Sequence, residues 1–551
     1  MTGPASGTRR ALLLRRPGTF RRGQDMAKDG ERRRPRFLFT RAQARAWIMD
    51  NKFFSLALTG ALLLRIDTEL GYQWQAWFND SFTYMSDVIG LHPDVTRPAG
   101  YAIFLKVLEP LHSYAAVTIL QHLMGVAVGV MVYALARHRF GAPRWIATLA
   151  AFPVFFDGFQ IQLEHLILSD VPFEFLIMLA VTLLLWNRKP SWKVCTLIGF
   201  ILGIAETVRS IALPLLPIFA IYIILRRIGW RSVVGALVAC LTPVLLYCTW
   251  FYSVYGQFGM TESTGVFLYS RTMAFADCSK MGPIPASELS LCTTTPPDKP
   301  PMSQSYIWAS LTPLNRFPPS KFSPLPNRLG EDFAKRAILH QPLGYAQIVG
   351  YDTIRVFEWR RYVFPNAATY DEYLFGWKSL PIPSWARGHV GSYDSDVAYY
   401  IRGNPLTDVV NPFAGVIRVW QRYIWLPGTV YGAILAVGLV GMALKWRRLG
   451  GPATVPWLIS VGLIMAPAMT AEFDYRYVLP AVPFGCLAAA MAFGTDTRMG
   501  NWLTARAAAR QTRRGGTVAP ASPAPAVTGP DSQELSEGGT QELSEGETTA
   551  S

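Results

Sequence analysis

The stretch YAAVTILQHLMGVAVGVMVYALA, residues 114–136, carries no charged side chain and runs directly into Arg137, His138 and Arg139. At 1.5 Å of rise per residue, about 20 apolar residues cross the hydrocarbon core of a bilayer. Residues 232–254 and 424–444 have the same character. Around these three, shorter apolar segments lie near 51–66, 145–162, 171–186, 194–208, 210–225, 453–471 and 477–494. The fold expected is an all-α polytopic membrane protein with about ten transmembrane helices and two external loops, the second large. The segments 194–208 and 210–225 flank Arg209 and read either as a hairpin or as one tilted helix followed by a partial one, which leaves the count open.

Composition agrees. Of 551 residues, 51% are hydrophobic and only 16% charged, with a mean hydropathy of +0.21; soluble domains carry about 25% charged residues. Phe, Trp and Tyr make up 13%, which suits aromatic belts at two interfaces. The net charge of +15 lies mostly in short loops and tails. Arg32, Arg33, Arg34 and Arg36 precede the first span. Arg137, Arg139 and Arg144 fill the second inter-span loop, then Arg188, Lys189 and Lys193, then Arg226, Arg227 and Arg231, then Lys445, Arg447 and Arg448. Arg498, Arg506, Arg510, Arg513 and Arg514 follow the last span. With ten spans all fall on one side, which the positive-inside rule makes cytoplasmic. The basic charge is then a topology signal and an attraction to anionic membrane lipid, not a nucleic-acid surface.

This divides the chain into a basic cytoplasmic tail (1–50), an N-terminal transmembrane module with the first external loop (51–254), a large external region (255–423), C-terminal transmembrane helices (424–495) and a tail (496–551). Residues 1–50 lack the pattern of a cleavable signal peptide. The last stretch, with QELSEGGTQELSEGE, has a composition that buries no core and reads as disordered. Cys278 and Cys292 share the external region, where their spacing fits a disulfide in an oxidising compartment. Residues 331–358 read as one apolar-periodic helix, interfacial or packed.

Ionisable groups near spans are costly, so their placement is informative. NDSFTYMSD in the first external loop carries Asp80 and Asp87, and RPAGYAIFLK carries Arg97 and Lys106. LEHLILSDVPF carries Glu164, His165 and Asp170; ETVRS carries Glu206 and Arg209; AEFDYRYVLP carries Glu472, Asp474, Arg476 and Tyr477. All lie at outer helix ends. Each also has an ordinary reading: Asp80 as a helix N-cap, Asp170 as a helix start before Pro172, Arg209 as a snorkelling arginine, Arg476 with Asp474 as a structural ion pair, His165 as a polar interface residue. Their joint placement makes a site for an anionic, membrane-embedded ligand.

The order of these motifs resembles the GT-C glycosyltransferases, among them the protein O-mannosyltransferases and the lipid A aminoarabinose transferase. The resemblance spans roughly residues 50–495. It rests on Asp80, RPAGYAIFLK, Asp170 in LSDVPF, Arg209 in ETVRSIALPLLP, LYSRTMAFADC and a final Arg476–Tyr477 followed by Pro480. It implies transfer of a sugar from a polyprenyl-phosphate donor to an acceptor hydroxyl on the external face, with inversion. Asp80 and Asp170 then stand in catalytic positions. Many relatives carry adjacent acids in the first loop, where this chain has Asn79–Asp80, so whether Asp80 or Asp87 is the catalytic one stays open, and Glu164 is a further alternative catalytic residue. Arg209, Arg476, Arg97 and Lys106 are expected at the donor phosphate. No residue spacing dictates a metal or cofactor, although carboxylates at one interface, Asp170 and Glu164, permit a divalent cation. The acceptor class is a protein, a glycolipid or a cell-wall polysaccharide, and the location implied is a bacterial plasma membrane with both termini cytoplasmic. A lipid or solute transporter or flippase is the competing class, but no internal repeat is evident and the charges sit at helix ends, not at the midplane. A non-catalytic membrane protein that only binds a partner is the third.

Overall fold

A computed structural model describes residues 41–506, apart from 74–76, 293–301, 310–311, 380, 446–450, 496, 498 and 504. The basic run at 32–36 and the repeat-bearing tail lie outside the described residues. The chain divides into two compact units, 1–56 and 57–551. In the first, α1 (Arg41–Asp50) leads into the start of α2 (Lys52–Gly71), with Trp47 edge-on to Phe54.

The second unit is almost wholly helical. After β1 (Tyr72–Gln73) come α3 (Asn79–Gly90) and α4 (Gly100–Leu108), both ahead of the first long apolar helix. The helices α5 (Tyr114–Ala134), α6 (Arg144–Phe156), α7 (Gly158–His165), α8 (Asp170–Trp186), α9 (Trp192–Val208), α10 (Leu216–Leu225) and α11 (Trp230–Tyr255) follow. The stretch from 264 to 409 holds α12 (Thr264–Thr272), α13 (Ser305–Trp308), α14 (Pro324–His340), α15 (Pro342–Arg355), α16 (Ala367–Asp371), α17 (Asp396–Ile401) and β2 (Asp408–Val409). Last come α18 (Phe413–Tyr423), α19 (Gly428–Ala443), α20 (Thr454–Thr470), α21 (Tyr475–Val478) and α22 (Val482–Met491).

Three helices among the described residues are long and apolar enough to cross a membrane by themselves: Tyr114–Arg139, Trp230–Tyr255 and Gly451–Thr470. Two more spans are made by bent pairs if each pair counts as one, α6 with α7 at 51° and α18 with α19 at 61°. The protein is therefore polytopic, and several expected spans are broken or short instead of continuous. The segment 145–162 breaks because Asp157 leaves the helix and caps a new one. Its Oδ1 accepts from the Phe159 and Gln160 amides, and its Oδ2 accepts from Leu426 N. The segment 424–444 is shortened to α19, which starts after Pro427, a residue with no N–H to carry the helix on from α18. At Arg209 the helix is interrupted: α9 stops at Val208, the shorter α10 follows, and the Glu206 carboxylate holds the turn by accepting from Leu213 N. Residues 331–358 form parts of two helices, not one, because Pro342 starts α15.

In this stretch α12 and α14 enclose a core that includes Tyr269, Met273, Leu291, Ile307 and Phe333. Cys278 and Cys292 are disulfide-bonded at its edge, and Arg271 pairs with Asp352 beneath it at 2.9 Å. The two short strands pair antiparallel, Tyr72 opposite Val409 and Gln73 opposite Asp408, and so tie the first loop to the end of the external region.

Helices α9 and α11 approach closely through glycines one turn apart. A Cβ on Gly199 would lie 2.0 Å from the Ala236 carbonyl oxygen, and one on Gly203 would lie 2.3 Å from that of Cys240. Small residues spaced by four allow such backbone contact between membrane helices. Gly199→Val is expected to cost about 1–3 kcal/mol by overpacking. It should lower the melting temperature in detergent, whereas Gly350→Ala, inside α15 with open space at its Cβ, should hold it or raise it slightly.

Candidate active site

Asp80 is the second residue of α3 and not its cap; Ser81 Oγ accepts from Phe78 N at that end. The carboxylate is thereby free to face outward from the first helical turn, where the backbone dipole favours negative charge. Two guanidiniums grip it. Arg476 Nη1 lies 2.7 Å from Oδ2, and Arg97 Nη2 lies 3.0 Å from Oδ1. Burial alone would raise the Asp80 carboxyl, but Arg476 and Arg97 outweigh it and hold the group well below the usual carboxylate range.

The arginines are themselves positioned. Arg476 opens α21, lies 3.4 Å from Asp474 Oδ2, and stacks on the rings of Phe78 and Tyr477. Arg97 lies over Tyr84, whose hydroxyl meets Ser169 Oγ at 2.9 Å. Arg209, just past the end of α9, bonds Asp170 and lies over the other ring it shares with Arg476, that of Tyr477. Asp474 also accepts from the Tyr373 hydroxyl. Three carboxylates and three guanidiniums from the first loop, α8, the α9 turn and the α21 start therefore interlock, a neutral set in which no charge is left unpaired. Asp80 keeps 21% of its side-chain surface open and Asp170 only 1%, so a ligand reaches the former.

Beside Arg209 and Tyr477 opens a cleft walled by Phe173, Ile211, Leu463 and Pro467. Its lining is apolar except toward Arg209, Ser210 and Thr470.

Not every expected residue joins this cluster. Lys106 pairs with Glu109 in its own turn at 2.5 Å, and no acid of the cluster binds it. Asp87 is buried farther along α3, its Oδ1 3.7 Å from His92 Nδ1. Burial pushes its carboxyl up to about 8. Glu164 is fully buried in a different place, bonded to Arg65 at 2.7 and 2.9 Å and to His122 Nδ1 at 2.9 Å. His165, expected at an interface, is wholly buried and stacked on His122. Asp474 and Arg476 do pair, but Arg476 also serves Asp80.

The sequence reading missed Arg65, Tyr373 and Glu372. Glu372 clamps Asn79, accepting from its amide at 3.1 Å and its side chain at 2.6 Å. Arg65 carried a usable signal, since an arginine inside the apolar run LALTGALLLRI needs a buried partner. Tyr373 and Glu372 lie in the external region, where nothing local marks them.

Residues 108–254 match the family model described as dolichyl-phosphate-mannose-protein mannosyltransferase. That match covers about a quarter of the chain. No curated protein matches the chain in sequence. Among solved structures, one that is similar is the archaeal oligosaccharyltransferase AglB from Archaeoglobus fulgidus in complex with an inhibitory peptide and a dolichol-phosphate. It is 12% identical, with 86% of this chain and 52% of that chain covered and a TM-score of 0.42. ArnT from Cupriavidus metallidurans bound to undecaprenyl phosphate is 11% identical, with 86% and 81% covered and a TM-score of 0.29. This chain spans about half the length of the archaeal enzyme.

Asp87 gives a stability test. Its carboxyl is raised in the folded protein from 3.8 to about 8. Between those values the folded state holds a proton that the unfolded state releases, so stability falls as pH rises through that window. Asp87→Asn should flatten that decline, with the largest gain over wild type near pH 8 in thermal unfolding. An unchanged slope would remove Asp87 as its source.

Proposed function

We propose that the protein moves a sugar from a polyprenyl-phosphate donor to an acceptor hydroxyl at the external face of a bacterial plasma membrane, with both termini cytoplasmic. The observation that carries this is Asp80 held between Arg476 and Arg97 beside an apolar cleft bounded by Arg209. The donor's isoprenoid lies in the cleft, and its phosphate meets Arg209 and Arg476. The acceptor hydroxyl, from a protein, glycolipid or cell-wall polysaccharide, enters from the external region 255–423. Asp80 takes its proton as the oxygen attacks the anomeric carbon. The bond from that carbon to the phosphate oxygen breaks, and polyprenyl phosphate leaves with the electron pair, which the arginines stabilise. Asp170 orients Arg209. The configuration inverts, since one face is attacked and the other vacated.

The pairing of Asp80 has a mechanistic consequence. An acid held far below its usual range is a weak base. A donor phosphate competes for Arg476 and Arg97, and as it takes them the Asp80 carboxyl rises toward its ordinary value. The base is therefore armed by the substrate. The acid limb of kcat, which reports the donor-bound enzyme, should then lie at higher pH than the acid limb of kcat/KM for the donor, which reports the free enzyme.

The direct test is transfer of radiolabelled sugar in membranes from a panel of polyprenyl-phosphate sugars. Asp80→Asn should lose about 10²–10⁴ in rate, the contribution of a positioned general base, with insertion intact. Arg476→Ala should raise KM for the donor, and Lys106→Ala should match wild type. Full activity in Asp80→Asn would move the base to Asp87 or Asp170. No transfer from any donor by wild type would favour a transporter or a partner-binding protein.

A further inference from the structure

A second group of titratable side chains is buried where α2, α5 and α7 meet. Glu69 lies in the last turn of α2, His122 on α5, and His165 ends α7. His165 is fully buried, His122 nearly so, and the Glu69 side chain is 15% exposed. The outer nitrogens of both imidazoles are spoken for. His165 Nε2 lies 2.9 Å from the Tyr72 carbonyl oxygen, which only accepts, so that nitrogen carries the hydrogen. His122 Nδ1 lies 2.9 Å from Glu164 Oε2, a carboxylate already paired with Arg65, so it too donates. In the neutral rings the inner nitrogens, His122 Nε2 and His165 Nδ1, are then both bare lone pairs, and they face each other at 3.2 Å. Glu69 Oε1 faces the same point, 3.6 Å from one and 3.7 Å from the other, while Thr118 hydrogen-bonds the same carboxylate.

Three buried acceptors converging on one point repel unless a cation stands between them. A point equidistant from the three atoms lies about 2.0 Å from each, the bond length of zinc to imidazole nitrogen and carboxylate oxygen. Both histidines also donate outward, to a carboxylate and a carbonyl, which is how metal-bound imidazoles are oriented. Gly125 makes this arrangement fit, since a Cβ there would lie 2.1 Å from Glu164 Oε1.

We propose that Glu69, His122 and His165 form a site for a divalent transition-metal ion of the zinc class, which clamps α2, α5 and α7 together. Two imidazoles select against magnesium and calcium, which take oxygen ligands. Three protein ligands leave a fourth position for a small exogenous one. The site is separate from the arginine–aspartate cluster, and none of the cluster's acids is a ligand. Glu164 orients His122 and does not itself bind the ion. The two are linked through the protein: Gln121 Nε2 bonds the Glu164 and Leu166 carbonyls, Tyr101 donates to Gln121, and Tyr101 packs edge-on against Tyr84, the ring under Arg97.

The test is metal analysis of the full chain, purified in detergent and dialysed after exposure to zinc. Wild type and Asp80→Asn should each retain roughly one ion per chain, and His122→Ala and His165→Ala should lose it. Zinc-edge X-ray absorption of wild type should show two imidazole nitrogens and a carboxylate oxygen near 2.0 Å. This spectrum decides the matter even if the histidine variants fail to fold. No retained metal in wild type, retention in the folded histidine variants, or a spectrum without two imidazoles overturns the proposal; the first of these would leave a proton as the shared cation.

Discussion

Charge cannot be left unpaired at the edge of a bilayer, and that constraint organises this molecule. Each ionised group taken out of water costs several kcal/mol unless it finds a counter-charge. The protein meets this by alternating signs. Asp80 sits between Arg97 and Arg476, Arg476 between Asp80 and Asp474, and Arg209 against Asp170. Arg65 and Glu164 repeat the solution deeper in the helices. Asp80 and Asp170 both lie in the first turn of a helix, so the backbone adds to what the arginines supply. A set of this kind, three carboxylates against three guanidiniums, carries no net charge of its own.

The broken helices serve the same end. Continuous spans would satisfy their own backbone but would present only side chains. The break at Asp157, the stop at Val208 and the kink before Pro427 each free backbone groups. Those groups are recaptured locally, by the Asp157 and Glu206 carboxylates for the first two. Breaking α6 from α7 re-aims the chain so that Glu164 and His165 face inward and not toward lipid. Irregular backbone is placed where protein, not lipid, surrounds it.

Much of this was legible in the sequence, and the limits have physical reasons. Long apolar runs such as 114–136 and 232–254 announce themselves because a bilayer fixes their length. Short ones do not: 477–494 starts with a single turn, a 3₁₀ turn and then α22, and hydropathy cannot distinguish this from one helix. The acids and arginines of the cluster were legible as a level, since each lies at an outer helix end. Their partners were not, because pairing is decided by which helices adjoin. Lys106 looked equivalent to Arg97, yet it lies toward the end of α4, within reach of Glu109. His165 next to Glu164 read as an interface pair, and only the placement of α5 makes it a neighbour of His122. Arg65 was overlooked because it sits inside an apolar stretch, where its cost should have drawn attention.

The bond between Asp80 and Arg476 joins residues 396 apart in the chain. During synthesis the first external loop emerges early, while its counter-charge is still unmade. Until residue 476 has been translated and its helix inserted, Asp80 can hold Arg97 but not the fork that grips it in the finished protein. Loop closure over such a distance is slow compared with local helix formation. The order of assembly therefore keeps the carboxylate–guanidinium cluster incomplete on any chain that has not yet reached residue 476. Its closure belongs to the last steps of synthesis.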